Sequence, residues 1–446
     1  MKKSSSVDMI HGPLMGKIIR FALPIALSSM LQQLFNAADT SVVGHFTDAN
    51  ALAAVGTNGE IVALLVTLAS GLAVGANVLI ARMIGEKNMN GIQDAIHTSV
   101  FLALIFGTAG MAVGWLTAGL LLAAIRTPAE VFDAAVLYLK IYYLGYPFLM
   151  FYNFGSAILR TNGDSRRPFL ALTLSGILNI VLNLFFVAVC GLGVAGVAAA
   201  TSISTAFSAA LVLFWLIREN GEFHLSVRRM RLHGECARFV LMIGIPAAVQ
   251  GAVFCFANIF VQASVNSFGA VAAAGSTIAM NFEYFGYYMI TAFGQAAITF
   301  TSQNFAAGEK RRCLRILWIC LLFSAVFSGV ITVPLTVWRE GSSALFTSDP
   351  QVIQAACLRI TLILTFEPIC GFYEVPAGVM RGMGHSTLPA VLTVIGTCFL
   401  RIAWIFTVFA RVHTQEILFV VFPISWVVTI GLIVAGFFLI WKKANS

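Results

Sequence analysis

The sequence predicts an all-α polytopic membrane protein, with twelve transmembrane helices in two pseudo-symmetric six-helix lobes. Three observations carry that prediction. Of the 446 residues, 59% are hydrophobic and only 10% charged, and the mean hydropathy is +0.90; soluble domains carry about 25% charged residues. Apolar runs long enough to cross a bilayer recur twelve times. The second half of the chain repeats the first at a nearly constant offset. A soluble fold of this size could not keep so much apolar surface from water, whereas lipid is itself a solvent for apolar faces.

A hydrocarbon core of about 30 Å takes about 20 apolar residues as helix. The first run, 21–44, follows a basic start, MKKSSSVDMIHGPLMGKIIR. It is too long for the core of a signal peptide and lacks a clear small-residue cleavage site, so it reads as a retained span. The runs that follow lie at 52–81, 96–122, 134–158, 168–190, 194–217, 239–266, 271–303, 314–338, 353–380, 388–410 and 416–441. Residues 1–220 form the N-terminal lobe, 221–238 a connector and 239–446 the C-terminal lobe.

Twelve is an even number, so both termini share one side. Of the 27 Lys and Arg, 21 fall on that side, among them Lys2, Lys3, Arg82, Lys87, Arg166, Arg167, Arg229, Lys310 and Lys443. The other six are Arg126, Lys140, Arg339, Arg359, Arg401 and Arg411. Basic loops stay in the cytoplasm, so the termini are expected there. The net charge of +8 is then explained by topology and needs no nucleic acid. The eight cysteines form no CxxC or Cys/His pattern, so neither a disulfide framework nor a metal site is expected.

Spans four and ten display the repeat. Adding 221 takes Pro147, Tyr152, Arg160, Gly163 and Pro168 to Pro368, Tyr373, Arg381, Gly384 and Pro389. Adding 222 takes Pro24 and Asn36 in span one to Pro246 and Asn258 in span seven. Spans two and eight both end in Gly-Glu-Lys, 223 residues apart. Copies with an even number of spans share one orientation and are related by an axis along the membrane normal, an arrangement that suits alternating access.

An ionisable group inside a membrane is costly and marks a functional site by default. Asp39 in span one has Asn36, Gln32 and Gln33 at helical spacing. Asn179 and Asn183 share a face of span five and can form a relay near Asp39. Glu283 lies beside Tyr284 and Tyr287, and Glu374 beside Tyr373. Carboxylates with aromatic faces suit organic cations. Glu374 aligns with Asn153 in the first repeat, so the lobes differ in charge at one equivalent place. Glu367 and Arg401 complete the set, and one arginine can hold one of these carboxylates as a buried pair. These assignments divide into a coupling group (Asp39, Asn36, Asn179, Asn183, Glu283, Glu367) and a substrate group (Glu374, Glu283, Tyr284, Tyr287, Tyr373, Gln32). Arg401, Pro24, Pro147, Pro246 and Pro368 are structural or gating; a proline within a span removes a hydrogen bond and can kink the helix.

The chain resembles the bacterial multidrug and toxic compound extrusion (MATE) family. The residues that carry the resemblance are LPIALSSMLQQLFNAADTSVVGHF, GANVLIARMIGEKN, AILRTNGDSRRP, LNIVLNLFFVAVCGLGVAGVAAAT, FTSQNFAAGEKRR and VMRGMGHSTLP, in that order along nearly the whole chain. The resemblance implies twelve helices in two lobes around a V-shaped cavity. It also implies export of organic, often cationic, compounds in exchange for inward H+ or Na+. No further cofactor is expected, and the protein is expected in the bacterial inner membrane, functional as a monomer. It links Asp39 to cation coupling and makes Asn179 a matching polar position. Asn183 stands where many proton-coupled relatives have aspartate, and Phe254 where sodium-coupled relatives often have glutamate, so the coupling ion stays open between H+ and Na+.

Two other classes are weighed. A flippase of lipid-linked oligosaccharides would favour a basic cavity, and the intramembrane acids here outnumber the bases. A membrane enzyme would need a paired Asp, HExxH or GxSxG motif in context, and none lies at a membrane face; no P-loop for ATP is present.

Overall fold

The computed structural model describes residues 7–47, 49–125 and 127–445. Lys2, Lys3 and Arg126, used above for orientation, lie outside them. The described chain folds into helices joined by short turns, as a bilayer requires: only helices and closed barrels satisfy every backbone group within lipid.

In the first half, α1 (Met15–Phe46) is followed by α2 (Ala49–Thr57), α3 (Gly59–Gly85), α4 (Met89–Ala124), α5 (Ala129–Thr161), α6 (Arg166–Asn183) and α7 (Gly193–Arg218). The second half holds α8 (Gly234–Asn266), α9 (Ala270–Ala306), α10 (Lys310–Val337), α11 (Arg339–Ala344), α12 (Pro350–Arg359), α13 (Gly371–Gly382), α14 (Thr387–Thr393), α15 (Leu400–Trp404) and α16 (Gln415–Asn445). Among the described residues eleven helices are long and apolar enough to cross a membrane. The eighth predicted span corresponds to α9, which has 37 residues but is not among the eleven. Its composition explains this, since Glu283, Asn281, Gln295, Gln303 and Asn304 dilute its apolar character.

The tenth predicted span is a broken helix. It runs as α12, a π-helical stretch at Ile360–Leu364, a 3-10 turn at Glu367–Cys370, and α13. Pro368 therefore sits in a tight turn, whereas Pro24, Pro147 and Pro246 lie inside α-helices as expected. A proline ring cannot donate a backbone hydrogen bond and clashes with the preceding turn, so the regular ladder stops there. Further π-helical stretches occupy Leu184–Val189, Val394–Phe399 and Ile405–Phe409.

The chain divides into two compact units. Unit 1 holds Val7 and residues 27–248; unit 2 holds residues 8–26 and 249–446. The division does not fall at the predicted connector. Residues 221–238 belong to unit 1, where Leu225 is buried and its N–H donates to the Leu216 carbonyl at 3.0 Å. The Ser226 N–H donates to His97 Nε2 at 3.1 Å, and His97 Nδ1 is 2.7 Å from the Gln93 carbonyl. The cuts instead fall inside α1 and α8, each two residues after that helix's proline, Pro24 or Pro246. In unit 2 the first half of α1 packs Phe21 edge-on against Phe300 with ring centroids 5.5 Å apart, and Asn304 Nδ2 donates to the Met9 carbonyl at 3.0 Å. In unit 1 the first half of α8 runs so close to α3 that a Cβ on Gly75 would lie 2.0 Å from the Val240 carbonyl oxygen.

Candidate functional site

Unit 1 carries a continuous hydrogen-bond chain built on α1, α6 and α7. Gly176 on α6 lets α1 approach, since a Cβ there would lie 1.8 Å from the Phe35 ring. The approach brings Asp39, half-buried on α1, to the far end of α6. Asn183 Nδ2 donates to Asp39 Oδ1 at 2.5 Å and lies 3.2 Å from Asn179 Oδ1, one turn back. Asn179 Nδ2 donates to Thr201 Oγ1 on α7 at 3.4 Å, and Thr201 Oγ1 donates to the Val197 carbonyl at 3.0 Å. Both asparagines are buried, and Asn183 Oδ1 has no partner. Carboxylate, amide and hydroxyl oxygens thus converge at one place, with one acceptor left unused. The helix switches to the π form immediately after Asn183, a local irregularity often found at functional sites.

The expected relay of Asp39, Asn183 and Asn179 is therefore brought together. Asn36 and Gln32 are not part of it: Asn36 is exposed on α1, and its carbonyl accepts from Thr40 Oγ1 at 3.0 Å. The residue names alone do not reveal Thr201, because serine and threonine are ordinary in membrane helices. Tyr138, stacked on Tyr142 with centroids 6.3 Å apart, lies within electrostatic reach of Asp39 and was also missed.

Unit 2 is organised around arginines. Arg359 holds Glu283 through two hydrogen bonds, Nε to Oε1 at 2.7 Å and Nη2 to Oε2 at 2.8 Å, while its Nη1 donates to Ser276 Oγ at 2.6 Å. Phe419 and Phe422 cover the guanidinium at 5.4 and 5.6 Å. The expectation that Arg401 would pair with a carboxylate is corrected: Arg359 forms the bidentate pair, because α12 faces α9 at this depth. Glu283 is committed to that pair, and the neighbouring Tyr284 points away, exposed and stacked on Tyr288 at 6.1 Å.

Glu374 on α13 is 3.9 Å from Arg381, two turns along the same helix, and Arg381 Nη2 donates to Gln250 Oε1 at 2.6 Å. Tyr287 and Tyr373 lie within electrostatic reach of Glu374, and Tyr373 is buried. Glu367 is buried in its 3-10 turn, and its Oε2 has no partner. Gly286 faces it: a Cβ there would lie 2.5 Å from Glu367 Oε2 and 2.7 Å from Thr332 Cγ2. Thr332 Oγ1 is likewise buried without a partner. With Arg359 and Arg381 included, unit 2 holds three such carboxylates, Glu283, Glu367 and Glu374, and three buried arginines, Arg359, Arg381 and Arg401, among its described residues. The excess of acids read from the sequence disappears in this unit.

The comparisons with known proteins agree with this architecture. The MatE family profile matches residues 24–185 and again residues 246–407, a second copy that starts 222 residues after the first. A probable multidrug resistance protein, NorM, of Thermotoga maritima is 29% identical over 393 residues, covering 85% of this chain and 82% of that protein. A probable multidrug resistance protein, YpnP, of Bacillus subtilis is 28% identical, covering 88% of each chain. An outward-facing structure of a multidrug resistance MATE family transporter superposes with a TM-score of 0.90 over 100% of this chain and 99% of that one, at 22% identity, which speaks to the fold.

Proposed function

The chain belongs to the MatE family, and from that premise we propose that it is a secondary antiporter that exports small organic compounds, cationic ones among them, in exchange for H+ or Na+. It is a transporter of the multidrug type and not an enzyme. On this reading it works as a monomer in the cytoplasmic membrane, with both termini inside the cell.

One observation carries the coupling assignment: the chain Asp39–Asn183–Asn179–Thr201, which ends on a membrane-embedded carboxylate and includes the unused acceptor Asn183 Oδ1. A proton on Asp39 or a sodium ion among these oxygens satisfies the carboxylate and the orphan acceptor together. Either would stabilise the arrangement of α1 against α6 relative to one in which the carboxylate is bare. An ion that favours one conformation and a substrate that favours the other are coupled reciprocally, and that is sufficient for exchange. In unit 2, Glu367 with Thr332 is the second place where a cation or proton would be held, and Glu374 with Tyr287 and Tyr373 offers charge and ring faces to a cationic substrate.

The test uses everted membrane vesicles and a fluorescent cationic dye. Wild type should accumulate dye under an imposed proton or sodium gradient. Asp39→Asn should lose at least about tenfold of the gradient-driven rate, equivalent to about 1.4 kcal/mol, because the amide cannot release a proton or offer a negative charge to a cation. Dye movement indifferent to both gradients overturns the antiporter reading, and unchanged coupling in Asp39→Asn overturns the assignment to Asp39.

A further inference from the structure

Among its described residues unit 2 buries three arginines, and they are not equivalent. Arg359 is held by Glu283, and Arg381 lies 3.9 Å from Glu374. Arg401, only 2% exposed, has no carboxylate within ion-pair distance among the described residues. Its Nε donates to Ser425 Oγ at 3.0 Å. Aromatic rings surround the rest of the group: Phe422 at 4.1 Å, Phe254 at 5.7 Å and Trp426 at 6.0 Å from the guanidinium carbon. Rings lie against the face of a guanidinium, whereas its five N–H donors point outward in the plane. One of those five donors, Nε, is taken by Ser425; the other four, on the two terminal nitrogens, are the ones that suit a planar or tetrahedral oxyanion. A buried charge without a direct ion-pair partner is costly; the carboxylate that reaches Arg401 electrostatically, Glu283, is already held by Arg359.

The internal repeat adds an independent reason. At the offset of 222 given by the two family matches, Arg401 is the counterpart of Asn179. In unit 1 that position belongs to the chain that ends on Asp39; in unit 2 the counterpart of Asp39 is Val261. The same place in the fold is built around a negative charge in one unit and a positive charge in the other. Arg401 also lies between two π-helical stretches, Val394–Phe399 and Ile405–Phe409, the second of which is the repeat counterpart of the stretch that follows Asn183.

We propose that Arg401 anchors an anion subsite in unit 2, which takes the carboxylate or phosphate group of an aromatic compound, with Phe254, Phe422 and Trp426 against the ring. The identity of that compound as a transported substrate rests on the exporter reading above; the subsite itself does not. It extends the substrate range from cations to compounds that carry an acid group, and it gives the balanced charges of unit 2 a use.

The experiment uses the full-length protein purified in a neutral detergent and calorimetric titration with three probes: benzoate, phenyl phosphate and the uncharged benzamide. Wild type should bind the two anions and not benzamide. Arg401→Gln should weaken both anions at least about tenfold, the scale of a lost hydrogen bond to a charged group, while its binding of a cationic dye stays as in wild type. If Arg401→Gln does not survive purification, Arg401→Lys, which keeps the charge but loses the planar fork, should weaken benzoate several-fold. A further arm with a short-chain phosphatidic acid separates a soluble acid from a lipid headgroup; whichever binds tighter names the source of the same chemistry. Equal binding of benzamide and benzoate, or undiminished benzoate binding in both variants, overturns the subsite. Failure of dye transport in wild-type vesicles overturns the exporter reading and leaves these binding results standing.

Discussion

Each membrane carboxylate of this protein is held differently, and the holding fixes what its removal should do. Glu283 and Arg359 are a buried bidentate pair. Taking away one partner leaves an uncompensated buried charge, which costs about 3–5 kcal/mol. Glu283→Gln and Arg359→Gln are each expected to lower the melting temperature in detergent markedly. The double variant should recover much of that loss, since both charges leave together, and a double-mutant cycle that shows simple additivity would disprove the pairing. Asp39 accepts an amide hydrogen bond from Asn183, so Asp39→Asn is expected to damage coupling far more than folding. These particulars also show what the sequence discloses. Asp39, Asn179 and Asn183 were legible, because a carboxylate in an apolar run and two amides one helical turn apart are visible in one dimension. Arg359 was placed on the outer side as a topology marker only. Its partner is 76 residues away, and nothing short of the fold says that α12 faces α9.

Helices in this chain are specified by their apolar runs, but their irregularities are not. The π-helical stretches at Leu184–Val189 and Ile405–Phe409 occupy equivalent places in the two repeats, yet a change of hydrogen-bond register leaves no mark on apolar content. The break in the tenth span has a visible cause in Pro368, although a kink in a continuous helix and a 3-10 turn look the same in sequence. Close approaches between helices are decided by single small residues, as expected where packing rather than the hydrophobic effect drives association. Gly75 on α3 is the strictest case in unit 1, with backbone rather than a movable side chain in the way. Gly75→Ala is expected to destabilise the protein by about 1–3 kcal/mol through overpacking. Gly119→Ala on α4, where nothing lies within 4 Å of a new Cβ, should be neutral or stabilising by up to about 1 kcal/mol, because a helical glycine loses more backbone entropy on folding than alanine. Thermal unfolding of the two variants side by side tests this; similar shifts would show that the α3–α8 approach does not constrain the fold.

For the molecule as a whole, the repeat was legible from identities at offsets of 221 to 223, and the family profile recovers it at 222. The division into units was not, because it cuts through α1 after Ala26 and α8 after Ala248, where the apolar run is continuous. Orientation is the property that every loop shares, and it can be tested with residues the protein already has. The split of basic residues puts the 218–238 segment inside the cell and the turn between spans five and six outside. Cys236 stands at the start of α8 and is partly exposed; Cys190 stands in the other turn and is exposed. With the remaining cysteines replaced, a membrane-impermeant maleimide should label Cys190 in right-side-out vesicles and spare Cys236, and the pattern should reverse in everted vesicles. An even number of crossings between the two would place both on one side and label them together. That result would remove a span from the reading, and α7, Gly193–Arg218, which stands between the two cysteines, would be the helix to give up.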